Sequence, residues 1–230
     1  MDNVKLLSRT DKKFMLNINQ LHNWLNQIRD SYKILIVNQK RLNAYCSLYF
    51  DTKDFRLYTA HHNKKLNRLK IRFRSYIESG IHFLEVKQKT NKGRTIKQRI
   101  DVATPGLFTP EVENFIRKFY TMNIPLINSL NIEYQRITLV NKKLPERVTI
   151  DLNLTFIDNE TSRSLDNIAI IEVKQDNLNI ATEAELVLKE MRIKEGFMSK
   201  YCLGMALLKP VKKNLFKPKI RKIIKTNTYV

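Results

Sequence analysis

Glycine and proline are scarce, at 5 and 6 in 230 residues. That excludes collagen-like repeats and long low-complexity linkers, and the length leaves room for one large domain or two small ones. Two cysteines, Cys46 and Cys202, are too few for a disulfide framework and lack zinc-site spacing. Each lies in an apolar run and is expected as a buried thiol in a reducing compartment. No stretch approaches the roughly 18 apolar residues of a membrane span, and Met1–Thr10 has no apolar signal core, so a cytoplasmic protein with no transmembrane segment in this chain is expected. Acids are the last shortage: 22 Asp and Glu stand against 42 Lys and Arg, a formal net charge of +20. Such an excess implies a polyanionic partner: nucleic acid, an anionic membrane surface, or a phosphate-rich molecule or polymer. With 43% hydrophobic residues the chain can still bury a sizeable core.

What is present is a two-residue alternation. In Arg68-Leu69-Lys70-Ile71-Arg72-Phe73-Arg74 a cation occupies every second position. Strand side chains alternate faces, so the four cations share one face and the apolar residues the other. Guanidinium groups in a row on rigid backbone suit phosphate or carboxylate. The same division recurs along the chain. Arg9, Asp11 and Lys13 share a face of a strand over Lys5–Leu16, and Glu85 and Lys87 a face of Ile81–Lys89. Tyr134 and Arg136 do so in Ile132–Val140, Arg147, Thr149 and Asp151 in Arg147–Phe156, and Glu172 and Lys174 in Asn167–Gln175. Further strands are expected over Ala44–Phe50 and Arg94–Val102. For one strand alone a solvated outer face is the plainer reading. For so many together, a sheet curled round a polar lumen is the consistent one. Its mixed charge, with cations dominant, suits a polyphosphate chain with Mg²⁺ or Mn²⁺.

Helices are expected where caps precede apolar periodicity. Asn17 or Asn19 begins one carrying Leu21, Trp24, Leu25 and Ile28; Asp51 or Thr52 caps a short one through Phe55 and Tyr58. His61-His62 is expected in a polar turn. Thr109-Pro110-Glu111 starts a helix with proline at its first position. Thr182-x-x-Glu185 reads as a capping box, and Ser199 caps a last helix through Leu207. Residues 1–208 are expected as one domain. The tail 209–230 holds eight cations and no acid, either docked or flexible.

Several blocks, in order, resemble one family. They are Arg9-Thr-Asp11-Lys-Lys13-Phe14, Ser47-Leu-Tyr49-Phe50-Asp51, Lys70-Ile-Arg72-Phe-Arg74-Ser-Tyr76, Phe83-Leu-Glu85-Val-Lys87, Tyr134-Gln-Arg136, Arg147-Val-Thr-Ile-Asp151, Ile171-Glu172-Val-Lys174 and Phe197-Met-Ser199-Lys200-Tyr201. From about Ser8 to about Leu207 the chain is similar to the VTC (vacuolar transporter chaperone) domain, the polyphosphate polymerase branch of the CYTH or triphosphate tunnel superfamily. The resemblance implies an α+β fold: an antiparallel β-barrel tunnel with a cation-rich lumen and helices packed outside. It implies that Lys13, Arg72, Arg74, Lys87, Arg136, Arg147 and Lys200 contact phosphates, with Arg9, Arg68, Lys70 and Lys174 as additional candidates, and that Glu172 holds Mn²⁺ or Mg²⁺. Asp11, Glu85 and Asp151 are read as charge-balancing, since buried cations want partners.

The activity implied is transfer of the γ-phosphoryl of ATP, or another nucleoside triphosphate, onto a polyphosphate or pyrophosphate acceptor. Hydrolytic relatives open with E-x-E-x-K; here Arg9-x-Asp11-x-Lys13 puts a cation in place of the first acid. That substitution favours phosphate binding or polymerisation over water activation. Met198 separates Phe197 from Ser199, where eukaryotic members have K-F-S-K. The alternatives are a tunnel triphosphatase and a non-catalytic polyanion-binding module. Nucleic acid is disfavoured as partner, because the cations are interleaved with acids rather than stacking aromatics. Nothing in the residues specifies a protein partner.

Overall fold

A computed structural model describes residues 9–159, 161–176, 180–196 and 198–228, without the side chains of Arg9, Thr10 and Asp176. The expected strand residues 5–8, the candidate side chain of Arg9, and Phe197 lie outside the described residues, as do Tyr229 and Val230 of the tail. In chain order the elements are β1 (Arg9–Asn17), α1 (Ile18–Ile28), β2 (Tyr32–Ile34), β3 (Asn43–Asp51), α2 (Arg56–His62), β4 (Arg68–Tyr76), β5 (Ile81–Lys89) and β6 (Thr95–Asp101). There follow α3 (Pro110–Arg117), β7 (Ile127–Asn141), β8 (Glu146–Ile157), β9 (Ser162–Leu165), β10 (Ile168–Asp176), α4 (Glu183–Glu190), α5 (Lys200–Leu208) and α6 (Lys217–Thr228).

The strands make one antiparallel sheet in the order β1-β10-β8-β7-β3-β4-β5-β6, with β2 added to β7 and β9 to β8. The two end strands, β1 and β6, do not pair, so the barrel is a curled open sheet rather than a closed cylinder. The curl is nonetheless deep. Lys87 on β5 feels the charges of Lys13 on β1 and Glu172 on β10, from the far end of the strand order.

Register sorts the residues into two faces. On the inner face Lys13 lies opposite Glu172, Glu172 opposite Thr149, Arg136 opposite Asp151, Tyr45 opposite Tyr134, Ser47 opposite Arg74, and Arg72 opposite Glu85. The outer face is apolar and covered in two patches. Phe14, Val148, Ile150, Ile171 and Val173 pack beneath α1 and α4, with Trp24 fully buried between them. Ile71, Phe73, Leu84 and Val86 pack beneath α3 through Val112, Phe115 and Ile116. Burying this apolar area on the outside is what leaves the charged positions no place but the inside.

The fifth helix differs from the other covering helices. It sits on the inner face, where Tyr201, Leu203 and Met205 join Met15, Leu130, Ile132, Leu154, Phe156 and Ile170 in a third apolar cluster. Its approach to the sheet is tight: a Cβ at Gly204 would lie 2.4 Å from Phe156 Cδ1 and 2.5 Å from Leu130 Cδ2. The tail docks on the same cluster. Ile223 of α6 is buried there, Asn17 Nδ2 donates to the Thr226 carbonyl, and Asn167 N donates to Asn227 Oδ1.

Local details depart from expectation in three places. His61-His62 closes α2 rather than occupying a turn: His62 is buried, and His61 Nε2 meets the Leu69 carbonyl oxygen. Thr182 makes no capping bond to α4: its Oγ1 accepts from Gln175 Nε2 at 3.4 Å, and Glu185, which a capping box would turn back, holds Lys12. The seventh strand starts at Ile127, ahead of the expected Ile132. Asn17 does form a full capping box with Gln20. Asp51 and Thr52 both serve the short helix, Thr52 Oγ1 accepting from Arg56 N, and Asp51 from Leu57 N and Tyr58 N.

Candidate functional site

The inner face gathers its charges around the start of α5. Ser199 caps that helix, its Oγ accepting from Cys202 N, and so fixes Lys200 at the first helical position. From there Lys200 reaches Asp151 Oδ2 and lies 4.8 Å from the centre of the Tyr134 ring. Asp151 is 1% exposed. Arg136 grips it with two parallel bonds, Nε to Oδ1 at 2.5 Å and Nη2 to Oδ2 at 2.8 Å. Burial would raise the Asp151 carboxyl; Lys200 and Arg136 outweigh it and hold the group well below the carboxylate range.

A second cluster repeats this pattern on β4 and β5. Glu85 is 1% exposed and is held by Arg72 through one oxygen and by Lys97 through the other. Arg74 stands 3.8 Å away. Tyr49 accepts from Arg72 Nη1 at 2.6 Å. Burial pushes the Tyr49 hydroxyl up, but Arg72, Arg74 and Lys70 together bring it below its ordinary range. Burial likewise opposes the charge on Glu85, and Arg72, Arg74 and Lys97 overcome it.

Between these clusters and the mouth lie the less compensated groups. Glu172 meets Lys13 at 3.2 Å through one oxygen and Lys174 at 3.5 Å through the other. Burial raises its carboxyl, yet Lys13, Lys174, Lys200 and Arg136 hold it at about 2. Lys70 and Lys87 face each other across the β4–β5 pair, and neither has an ion-pair partner among the described residues. Burial, then Arg72 and Lys97, pull the Lys87 ammonium down to about 7; burial lowers Lys70 as well. Two neutral groups point the same way. The hydroxyls of Tyr134 and Thr149 are buried without a partner among the described residues. Partly desolvated cations thus stand beside buried hydroxyls that the described residues leave unpaired.

Most of the expected site residues thus share one cleft: Lys13, Lys70, Arg72, Arg74, Glu85, Lys87, Arg136, Asp151, Glu172, Lys174 and Lys200. Arg147 lies opposite Lys174, exposed at the rim, and Asp11 is exposed beside it. Arg68 is on the right face but is tied down away from the cleft, donating to His61 Nδ1 at 3.0 Å and to the Lys65 carbonyl at 2.7 Å. Lys97 completes the Glu85 cluster without having been anticipated. The signal was available: the Asn91-Lys92-Gly93 turn fixes the hairpin register, which sets Lys97 opposite Lys87.

A divalent metal has one carboxylate available that no buried arginine locks, Glu172. Among the described residues no group of three or more His, Cys, Asp or Glu is placed to hold a metal ion. This donor set fits Mg²⁺ or Mn²⁺ only where substrate phosphates and water supply the other ligands, the usual arrangement for Mg²⁺ on phosphates.

One solved structure shares the architecture, and others align with the chain. A Bacillus halodurans protein described as a candidate adenylate cyclase aligns at 14% identity over 82% of this chain and 92% of its own, with TM-score 0.51. A Vibrio parahaemolyticus protein with the same description aligns at 12% identity over 85% and 97%, TM-score 0.49. So does a Hippeastrum candidate adenylyl cyclase described as having a dominant triphosphatase activity, at 12% identity over 90% and 98%, TM-score 0.49. No curated protein sequence matches the chain. The curled antiparallel sheet with its covering helices has the triphosphate tunnel type of fold. Within that fold type the chain belongs to the VTC domain family, whose profile matches residues 8–209.

Proposed function

We propose that this chain is a metal-dependent polyphosphate polymerase that uses ATP or another nucleoside triphosphate. The observation that carries a phosphate-chain ligand is the Lys70–Lys87 pair: two partly buried cations side by side with no anion between them. Like charges so placed are unfavourable until a ligand supplies the counter-charge. Arg72, Arg74, Arg136 and Lys200 are pre-oriented by Glu85 and Asp151, so they meet phosphate oxygens without first being ordered. Lys13, Lys174 and Arg147 extend the positive surface toward the rim. Glu172 would hold Mg²⁺ or Mn²⁺ together with the triphosphate, and the ion would neutralise charge on the transferring group.

In the transfer, a terminal phosphate oxygen of the acceptor attacks the γ-phosphorus. The bond from that phosphorus to the β–γ bridging oxygen breaks, and the nucleoside diphosphate leaves. No side-chain nucleophile is required, which matches a cleft that offers cations and hydroxyls rather than an activated Ser, Cys or His. The cation Arg9, standing where hydrolytic relatives carry an acid, supports transfer to phosphate over transfer to water. Incubation with ATP and Mn²⁺ tests the reading. Nuclease-resistant phosphate chains are expected. Release of single phosphates alone would make the protein a triphosphatase, and tight tripolyphosphate binding without turnover would make it a binding module.

A further inference from the structure

Past Arg74 the inner wall changes character. The residues that follow on that face are aromatic: Tyr76 at the end of β4, Phe83 opposite Arg74 on β5, and Tyr45 opposite Tyr76 on β3. The rings meet edge to face, Tyr45 and Tyr76 at 4.9 Å between centres and Tyr76 and Phe83 at 5.7 Å. All three are half-buried, and neither Tyr76 nor Phe83 belongs to any of the three apolar clusters. Arg99 of β6 is exposed, and its guanidinium carbon lies 4.3 Å from the centre of the Phe83 ring. Its cross-strand neighbour Glu85 is taken by Arg72 and Lys97. The cations of the cleft border this group directly: the guanidinium carbons of Arg136 and Arg74 lie 5.1 and 6.0 Å from the centre of the Tyr45 ring.

We propose that Tyr76, Phe83 and Arg99 form a shelf on which the nucleobase of a nucleoside triphosphate stacks while its phosphates lie along Arg74, Arg72 and Arg136. This assignment rests on the reading of the cleft as a nucleoside triphosphate site, and it fixes which way round that ligand lies. Phosphate has no use for aromatic rings, whereas bases stack on rings and on guanidinium planes alike. Spacing agrees. At about 3.4 Å per residue, Tyr76 is roughly 7 Å beyond Arg74 and roughly 14 Å beyond Arg72, which suits a triphosphate that ends in a nucleoside. Charge agrees as well. Asp101, opposite Phe83, is exposed, and Ile81, opposite Tyr76, is 46% exposed. An acid and an apolar side chain at this end disfavour phosphate and suit the uncharged sugar and base, whose hydroxyls and amines can donate to a carboxylate. One shelf of this size holds one base; a nucleic-acid strand needs a succession of them.

The test is calorimetric titration of the full chain with the β,γ-imido analogue of ATP and, separately, with tripolyphosphate, both in Mg²⁺. Phe83→Leu keeps an apolar side chain and removes the ring; Arg99→Lys keeps the charge and removes the plane. Each is expected to weaken binding of the ATP analogue roughly tenfold and to change that of tripolyphosphate by less than about twofold. Arg99 is exposed, so its variant answers the case in which Phe83→Leu lowers the melting temperature and disturbs the fold. Equal losses for the two ligands in both variants, or no loss for the ATP analogue in either, would overturn the shelf and leave the phosphate cleft standing. Failure of the unmodified chain to bind either ligand would instead overturn the reading on which the shelf rests.

Discussion

On the β4–β5 hairpin, two neighbouring cross-strand pairs obey opposite physics. Arg72 faces Glu85, and the pair is hydrogen-bonded, buried and joined by Lys97 and Tyr49. Two residues along, Lys70 faces Lys87, two cations with no carboxylate between them among the described residues. The first pair is complete within the chain and specifies geometry. The second is incomplete within the chain and specifies a ligand. The same contrast separates Asp151, closed between Arg136 and Lys200, from Glu172, whose oxygens meet two partly exposed lysines at longer range. A charged interior therefore contains two kinds of charge, and the test for function is which of them the protein has left uncompensated.

That distinction can be broken from the paired side first. Glu85→Gln removes the shared counter-ion of Arg72, Arg74 and Lys97, and unfolding in urea is expected to show a loss of about 3–5 kcal/mol, as for other buried pairs stripped of one partner. A near-neutral change would mean that the cluster is solvated and does not specify the fold. Glu172→Gln should cost less stability than Glu85→Gln, because its two ion pairs are longer and more exposed, and should retain tripolyphosphate affinity while metal-dependent turnover falls by about 100-fold. Wild-type turnover in that variant would remove Glu172 from the metal.

The unpaired side yields smaller effects. Lys70→Met plus Lys87→Met should weaken tripolyphosphate binding by roughly tenfold while leaving the melting temperature equal or higher, because a repulsion is removed with the ligand contact. A drop in melting temperature without loss of affinity would make the pair structural. The smallest expected effect is on pH. Lys87 falls from 10.5 to about 7 in the free protein. Between about pH 7 and about pH 10 the unfolded chain keeps a proton that the folded one has released, so stability rises with pH across that window; below about 7 both states carry it and this dependence vanishes. A polyanion favours the protonated ammonium, so tripolyphosphate binding should tighten as pH falls from about 8 to about 6, and that slope should shrink in Lys87→Met. An unchanged slope would assign the titration to another group.

Strand faces were legible because their period is two and each charged position declares its side. Arg72, Arg74, Lys87, Arg136 and Glu172 fell together for that reason, and so did the inward direction of the charge. What sequence could not supply was the third dimension. Lys97 shows its face by alternating with Ile96 and Ile100, but its meeting with Glu85 runs diagonally across the hairpin and emerges only once the register is set. Arg68 obeys the same period as Arg72, yet a helix end lies beside it and takes its guanidinium. The fifth helix is apolar all round, which marks it as buried without saying on which side of the sheet.

The seating of α5 also bears on the order in which the molecule is finished. Every strand of the sheet precedes Lys200 in the chain, and β1 must wait for β10 before its inner face has a neighbour. During synthesis, then, a sheet with a greasy patch on its concave side exists before the helix that fills it. The cleft has no Lys200, and Asp151 lacks one of its two cations, until that helix arrives.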